Sequence, residues 1–261
     1  EGQVDAVVVV DNGSTDGTSR WLEERRPEVV RIANPDNRGY PAAVDQGIAA
    51  ALAMGAEAVL VINDDAVATP GAVDALARAL AEDPNAGAAT ARLLLDGRPG
   101  ILNGAGGAID WRRAHAALRG AGEPDDGRYA GESFADYPSG AAMLLRRAAL
   151  EAVGGLDEAY YLYYEDADWG VRAARGGWRT RYVHEAVVRH AGWSGTRADP
   201  ARRRYYNVRN RLRFARLHAP RAALARAWLE TLALALRQPV RWLWPSRRRD
   251  AEAVLRAIAD H

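Results

Sequence analysis

Short apolar runs alternate along the chain with amphipathic stretches, and the period of each predicts an element. "VDAVVVVDNGS" is apolar up to a polar, glycine-bearing end, the pattern of a strand buried on both faces in a parallel sheet. "TSRWLEERRP" follows as a short helix, "VVRIAN" as a second strand, and "YPAAVDQGIAAALAMG" as an alanine-rich helix closed by Gly55. "AEAVLVINDD" predicts a third strand that ends in acids, and "GAVDALARALAEDP" a further helix. Between about residues 87 and 150 the pattern loosens into short strands and glycine-rich turns such as "NGAGGAID". At Glu165 it tightens again: "EDADWGVRAARGG" reads as a helix with acids in its first turn and Gly176 at its end. "RTRYVHEAVVRHAG" reads as extended, and the chain from Ala201 as two or three helices broken near Pro220 and Pro245.

Strand and helix in alternation predict an α/β fold, a mostly parallel sheet with helices on both faces. Ligands on such sheets bind beyond the carboxyl ends of the strands, where "DNGSTD" and "NDDA" both fall. With 261 residues and 48% hydrophobic content, the chain can bury a full core. The expected organisation is a catalytic α/β unit over residues 1–200 with a helical extension over residues 201–261.

Composition narrows the chemistry. The chain has no cysteine, which excludes a disulfide framework, zinc–cysteine sites and a thiol nucleophile. The net charge of +1 hides an asymmetry: between Ala201 and Arg249 there are 14 arginines and a single acid, Glu230, whereas residues 1–200 are acidic overall. No base-reading motif accompanies the basic stretch, so nucleic acid is not expected as a partner. Trp228, Trp242 and Trp244 stand with the leucines of "WLETLALAL", which suits an anionic membrane surface. The competing reading packs that apolar face on the catalytic unit or on a second subunit of a homo-oligomer. No apolar run approaches the roughly 20 residues that span a bilayer, and no signal peptide is legible. The expected location is cytoplasmic, with peripheral attachment to the inner face of the cell membrane.

Four polar clusters are candidates for chemistry. In "VDNGSTDGT", Asp11, Asn12, Gly13 and Ser14 close a strand; they read either as a helix-capping turn or as a nucleotide site in which Asp11 accepts from a base N–H. In "VLVINDDA", Asn63, Asp64 and Asp65 end an apolar strand, as a solvated turn or as oxygen ligands for Mg²⁺ or Mn²⁺, with Asp65 the preferred ligand. In "YYLYYEDADW", Glu165, Asp166 and Asp168 are either helix-start acids or carboxylates in an aromatic pocket, one of them a general base. His190 and Trp193 lie in "VVRHAGWSGT". No G-x-G-x-x-G follows a predicted strand, which argues against a dinucleotide.

Taken in order, "VVVVDNGSTDGT", "NRGYPAAVDQG", "VLVINDDA", "SGAAMLLRR", "GGLDEAYYLYYEDADWGVRA", "RHAGWSGT" and "YYNVRNRLRFAR" resemble the family-2 glycosyltransferases of the GT-A fold, especially the bacterial rhamnosyltransferase and galactofuranosyltransferase branch. The resemblance implies a Rossmann-like nucleotide-diphospho-sugar transferase with a C-terminal helical extension. It implies that Asp11, Asn12, Gly13, Ser14, Asn37, Arg38, Gly39, Asn63 and Asp64 line the nucleotide, and that Asp65 and His190 hold Mg²⁺ or Mn²⁺. It makes Asp166 the catalytic base with Glu165 its neighbour, and sets Tyr163, Tyr164, Asp168 and Trp193 by the acceptor or sugar. Relatives begin one strand and helix earlier, so the first βα unit is expected to be absent from this sequence.

The reaction so implied is an inverting transfer from dTDP-rhamnose or a UDP-sugar to a glycan or lipid-linked acceptor in cell-envelope polysaccharide synthesis. Two alternatives remain: a non-catalytic nucleotide-sugar-binding remnant, and a sugar nucleotidyltransferase. The second normally carries an N-terminal glycine- and arginine-rich loop with a lysine, and this chain has no lysine.

Overall fold

A computed structural model describes residues 4–191, 199–237 and 248–261. Two parallel strands, β1 (Val8–Asn12) and β2 (Val30–Asn34), form a small sheet joined by helix α1 (Thr18–Arg25). Helix α2 (Tyr40–Ala53) leads to β3 (Ala58–Ile62), the edge of a larger sheet, and a turn gives β4 (Ala66–Ala68). Helix α3 (Ala72–Glu82) precedes β5 (Ala86–Leu95); the short strands β6 (Leu102–Ala105), β7 (Gly107–Asp110), β8 (His115–Leu118) and β9 (Phe134–Ala135) follow. Then come β10 (Ala142–Arg146), α4 (Arg147–Val153), α5 (Glu165–Arg175), β11 (Arg179–His190), α6 (Pro200–His218), α7 (Arg221–Leu236) and α8 (Arg248–Ala259).

The larger sheet runs β3-β10-β5-β11-β4, with β6 on β5 and β9 on β11. Its strands β3, β5 and β11 point one way, and β10 is inserted antiparallel between β3 and β5. Small residues make the centre: Ala86, Ala88, Ala89 and Ala91 of β5 are fully buried. That lets helices approach closely on both faces. One face packs Leu76 and Leu80 of α3 against Leu93, Leu144 and Val188. The other packs Ile48 of α2, Leu150 of α4 and Trp169 of α5 against Met143 and Leu145. Each large apolar side chain so buried contributes on the order of 1.5–3 kcal/mol before entropy is counted.

One expectation changes here. The run ending in "VVVVDN" was expected to be buried on both faces, yet β1 is only half-buried, and Val4 and Val7 are exposed. The physical reason is that β1 pairs only with β2; α2 covers both β1, through Gly47 against Val10, and β3, through Val44 and Leu52 against Val59 and Val61, but the two strands are not hydrogen-bonded to each other. The helical extension, for its part, is built into the core. Phe214 of α6 is buried with Tyr160, Tyr164 and Val171, and Leu212 packs with Ala223 and Ala227 of α7. Asp199 caps α6 by accepting from the Arg202 amide, with Pro200 in the first turn.

Candidate active site

The end of β1 and the loop after β2 close on each other. Asn12 Nδ2 donates to the Gly39 carbonyl at 3.0 Å and to Asn37 Oδ1 at 3.3 Å, while its Oδ1 accepts from the Arg38 amide at 3.1 Å. Gly13 makes the approach feasible: with φ of +84°, it also lies where a Cβ would sit 2.7 Å from the Asp36 carbonyl carbon. Asn12, Gly13, Ser14, Asn37, Arg38 and Gly39 are thus brought together. Asp11 is different. It is buried and accepts from the Ser14 amide at 2.9 Å, and hydrogen bonds from Ser14 hold its carboxyl below the usual range, so it shapes the turn.

The acidic turn after β3 meets the end of β11. Residue 66 pairs with 190 across β4 and β11, and the Ala191 amide donates to the Asp65 carbonyl. His190, itself buried, brings Nε2 to 2.9 Å from Asp65 Oδ1, with Asn63 Nδ2 at 3.5 Å. Its other nitrogen, Nδ1, faces Asn103 Oδ1 at 2.8 Å. A carbonyl oxygen on Nδ1–H fixes the ring and leaves Nε2 directed at the carboxylate, the arrangement that suits a shared proton or a shared cation. Among the described residues no three His, Asp or Glu side chains converge into a cage. A divalent ion here would complete its shell with phosphate oxygens and water, as Mg²⁺ and Mn²⁺ commonly do.

Between these features lies the turn that delivers the third cluster. Four non-glycine residues among those described have positive φ, and three are here: Tyr161 (+62°), Tyr163 (+70°) and Tyr164 (+74°). The Leu162 amide bonds the Tyr160 carbonyl at 2.7 Å across Tyr161, a γ-turn of the strained hand. Each such residue costs on the order of 1–3 kcal/mol and persists only where surroundings over-determine it. Gly39 is required against this turn, because a Cβ there would lie 2.7 Å from the Tyr161 ring. The Tyr161 hydroxyl bonds Asn37, and the Tyr40 amide donates to the Tyr161 carbonyl, so the Asn37–Gly39 loop and the turn are one assembly.

The turn opens α5 with Glu165 and Asp166. Asp166 accepts from the Gly140 amide at 3.1 Å and from the Ala167 amide at 2.8 Å while keeping part of its surface open. Burial pushes its pKa up to about 6, partly offset by those amides. Glu165 is enclosed, its Oε2 has no hydrogen-bond partner, and burial beside the Asp166 charge raises it well above the usual carboxylate range. The Tyr40 hydroxyl donates to the Gly140 carbonyl at 2.6 Å, and the Asn63 amide to the Ala141 carbonyl at 3.1 Å. The segment 139–141 therefore joins the acidic turn to Asp166.

Some expected acceptor residues face elsewhere. Asp168 is buried and engaged by Arg172 at 2.8 Å, His218 at 2.6 Å and the Tyr160 hydroxyl at 3.3 Å. Burial raises its pKa, but the hydrogen bonds from His218 and Arg172 outweigh burial and leave it lowered, so it ties α5 to α6 and does not face an acceptor. Tyr164 is turned into the core against Phe214, 5.5 Å between ring centres. Tyr163 is half-buried and Asp64 sits in the turn beside Asp65. Trp193, Trp242, Trp244 and Pro245 lie outside the described residues. Sequence reasoning missed Tyr40, Asn103, Tyr161 and Asn210. Asn103 and Asn210 gave no local signal; the aromatic run did contain Tyr161, but nothing in it distinguished the tyrosine that turns to Asn37 from those that turn inward.

A mostly parallel sheet flanked by helices, with the loops at Asn12 and Asn37, an Asp–His pair and the partly open Asp166 carboxylate at its strand ends, has the architecture of the GT-A glycosyltransferases. The family model "Glycosyltransferase like family 2" matches residues 2–242, and the chain belongs to that family. It is 34% identical over 222 residues to N-acetylglucosaminyl-diphospho-decaprenol L-rhamnosyltransferase of Mycobacterium tuberculosis, covering 75% of this chain and 69% of that protein. Among solved structures it resembles GalNAc-T7 with UDP, GalNAc and Mn²⁺ (TM-score 0.57, 13% identity, 81% of this chain and 41% of that one). It also resembles the Pyrobaculum calidifontis mannosyltransferase PcManGT with GDP-Man and Mn²⁺ (TM-score 0.50, 22% identity, 97% and 76%). At these identities the two structures speak for the fold.

Proposed function

We propose that this chain moves a sugar, with inversion, from a nucleotide-diphosphate sugar to a hydroxyl of a lipid-linked or glycan acceptor in cell-envelope synthesis. The named relative makes an activated rhamnose, dTDP-rhamnose, the first donor to test and a UDP-sugar the second. The observation that carries the reading is Asp166: a carboxylate partly open to the site, held by two backbone amides, with a pKa near the operating range. It takes the proton of the acceptor hydroxyl as that oxygen bonds to the anomeric carbon and the nucleoside diphosphate leaves. Glu165 lies beside it, its carboxyl raised well above the usual carboxylate range by burial and by the Asp166 charge. Asp65 and His190 would hold Mg²⁺ or Mn²⁺, whose charge offsets that developing on the diphosphate. Asn12, Asn37 and Arg38 set the nucleotide in place.

The experiment is release of nucleoside diphosphate from a panel of activated sugars, with a polyprenyl-diphosphate-linked N-acetylglucosamine acceptor, in Mn²⁺ and in chelator. Turnover with one donor, product of inverted anomeric configuration, and loss in chelator are expected. Binding of donors without release under any condition would favour the non-catalytic reading.

An anionic membrane surface is the proposed place of that acceptor. No helix among the described residues is long and apolar enough to cross a membrane. Helix α7 instead exposes Leu229, Leu232 and Leu236 along one face, at 67%, 47% and 79%, with Arg221, Arg226 and Arg237 beside them. Trp228, expected on this face, turns inward against His261.

A further inference from the structure

We propose that Asn210 is a positioning residue for the transfer: its side-chain amide holds the turn Tyr160–Tyr164 in its left-handed form and so fixes where the Asp166 carboxylate lies. The proposal rests on the reading of Asp166 as the base.

The argument begins with the carbonyls of the turn. Nδ2 of Asn210, a fully buried side chain, donates to the Tyr160 carbonyl at 2.9 Å, to that of Leu162 at 2.7 Å and to that of Tyr163 at 2.8 Å. The Tyr161 carbonyl is taken by the Tyr40 amide, the Tyr164 carbonyl by the Asp168 amide, and the Ala159 carbonyl by Arg209. With three carbonyls converging on it, only the NH₂ end of Asn210 can face the turn; its Oδ1 accepts from Arg209 Nε at 2.9 Å. A chain that turns left-handed at three tyrosines points successive carbonyls inward, and buried carbonyls need donors. Nδ2 has two N–H groups for these three carbonyls, so one is shared; the Tyr160 carbonyl also accepts from the Leu162 amide and from Arg209, while the Leu162 and Tyr163 carbonyls take their donor from Asn210.

The rest of α6 has the same register. Residues 210, 213, 214 and 218 share a helix face. Arg213 pairs with Asp157 at 2.7 Å just before the turn, Phe214 packs on Tyr164 within it, and His218 bonds Asp168 at 2.6 Å just after it. The turn is thus gripped before, within and after by one helix, and Asp166 lies inside the gripped span. A side chain that merely filled space here would not need donors.

The full chain is tested as Asn210→Asp, Asn210→Ala and Asn210→Gln. Aspartate keeps the shape but sets an acceptor against three acceptors; glutamine keeps the NH₂ group one methylene out of place. Donor affinity should fall less than turnover, since Asn210 does not itself touch the Asn37–Gly39 loop, which meets the turn only through Tyr161. Turnover should fall by about 100-fold in the aspartate and alanine variants, the order expected from a misplaced reacting group, with part restored in the glutamine variant. Amide exchange should quicken in peptides covering residues 158–168 and stay unchanged in β5. Turnover within about twofold of the parent in Asn210→Asp, or a loss of turnover without faster exchange in that turn, overturns the proposal. Where Asn210→Asp does not fold, Asn210→Gln decides on the same two readouts. Asp166→Asn run alongside separates the two readings: if it retains turnover the base assignment fails, while the exchange data still judge the grip on the turn.

Discussion

Asp166 and Glu165 are neighbours in the chain, yet their surroundings set different protonation. Glu165 has no partner for one oxygen and burial raises its carboxyl well above the usual range, whereas two amides favour charge on Asp166. Its pKa of about 6 fixes the sign of the pH response: the base works when deprotonated, so kcat/KM should fall as pH drops through about 6. The rate profile checks this. In Asp166→Asn that acid limb should vanish and turnover should fall by roughly two to four orders of magnitude, with donor binding kept. At this scale the sequence was legible where a residue type has one use. Asp65 and His190 were matched through resemblance, and the structure does set them 2.9 Å apart. It was illegible where direction decides: alternation cannot tell that Tyr161 turns to Asn37 and Tyr164 to the core, because left-handed residues break the period from which facing is read. Nor could it tell that Asp168 is met by His218, fifty residues on, as well as by Arg172 one turn away.

The helix α7 shows how an element can differ from its composition. The basic stretch counts 14 arginines, but Arg211 and Arg226 pair with Glu230, Arg204 with Asp250, and Arg213 with Asp157, while Arg209 serves carbonyls. Much of the charge is therefore structural, and Glu230, although burial opposes it, is held at about 2 by Arg211, Arg226 and Arg113. What the described helix leaves exposed is the leucine row, with Arg221 beside it. Replacing Leu229, Leu232 and Leu236 together with glutamine should weaken sedimentation with anionic vesicles at least about tenfold, at roughly 0.8 kcal/mol per buried methylene, and leave the melting temperature nearly unchanged. If vesicle binding of the triple variant matches the parent, that face serves another contact.

At the scale of the molecule, the α/β order was readable because each strand and helix carries its own period, and the helix break near Pro220 fell where α6 gives way to α7. Pairing was less readable, since it depends on partners far along the chain: β10 entering antiparallel between β3 and β5 has no local mark. The β1–α1–β2 unit, with Leu22 and Asp11 its only buried side chains, should be the least protected part of the catalytic unit. Hydrogen exchange at Val8–Asn12 and Val30–Asn34 should run about tenfold or more faster than in β5, and slow when donor binds. Equal protection in both sheets would contradict it. The grip of α6 on the turn also has a consequence in time. Ribosomes make chains from the amino end, so the Asn12 and Asn37 loops and Asp166 itself emerge before Asn210, Phe214 and His218 do; a nascent polypeptide would carry Asp166 and still lack the brace that aims it, and competence would arrive only once α6 had been synthesised.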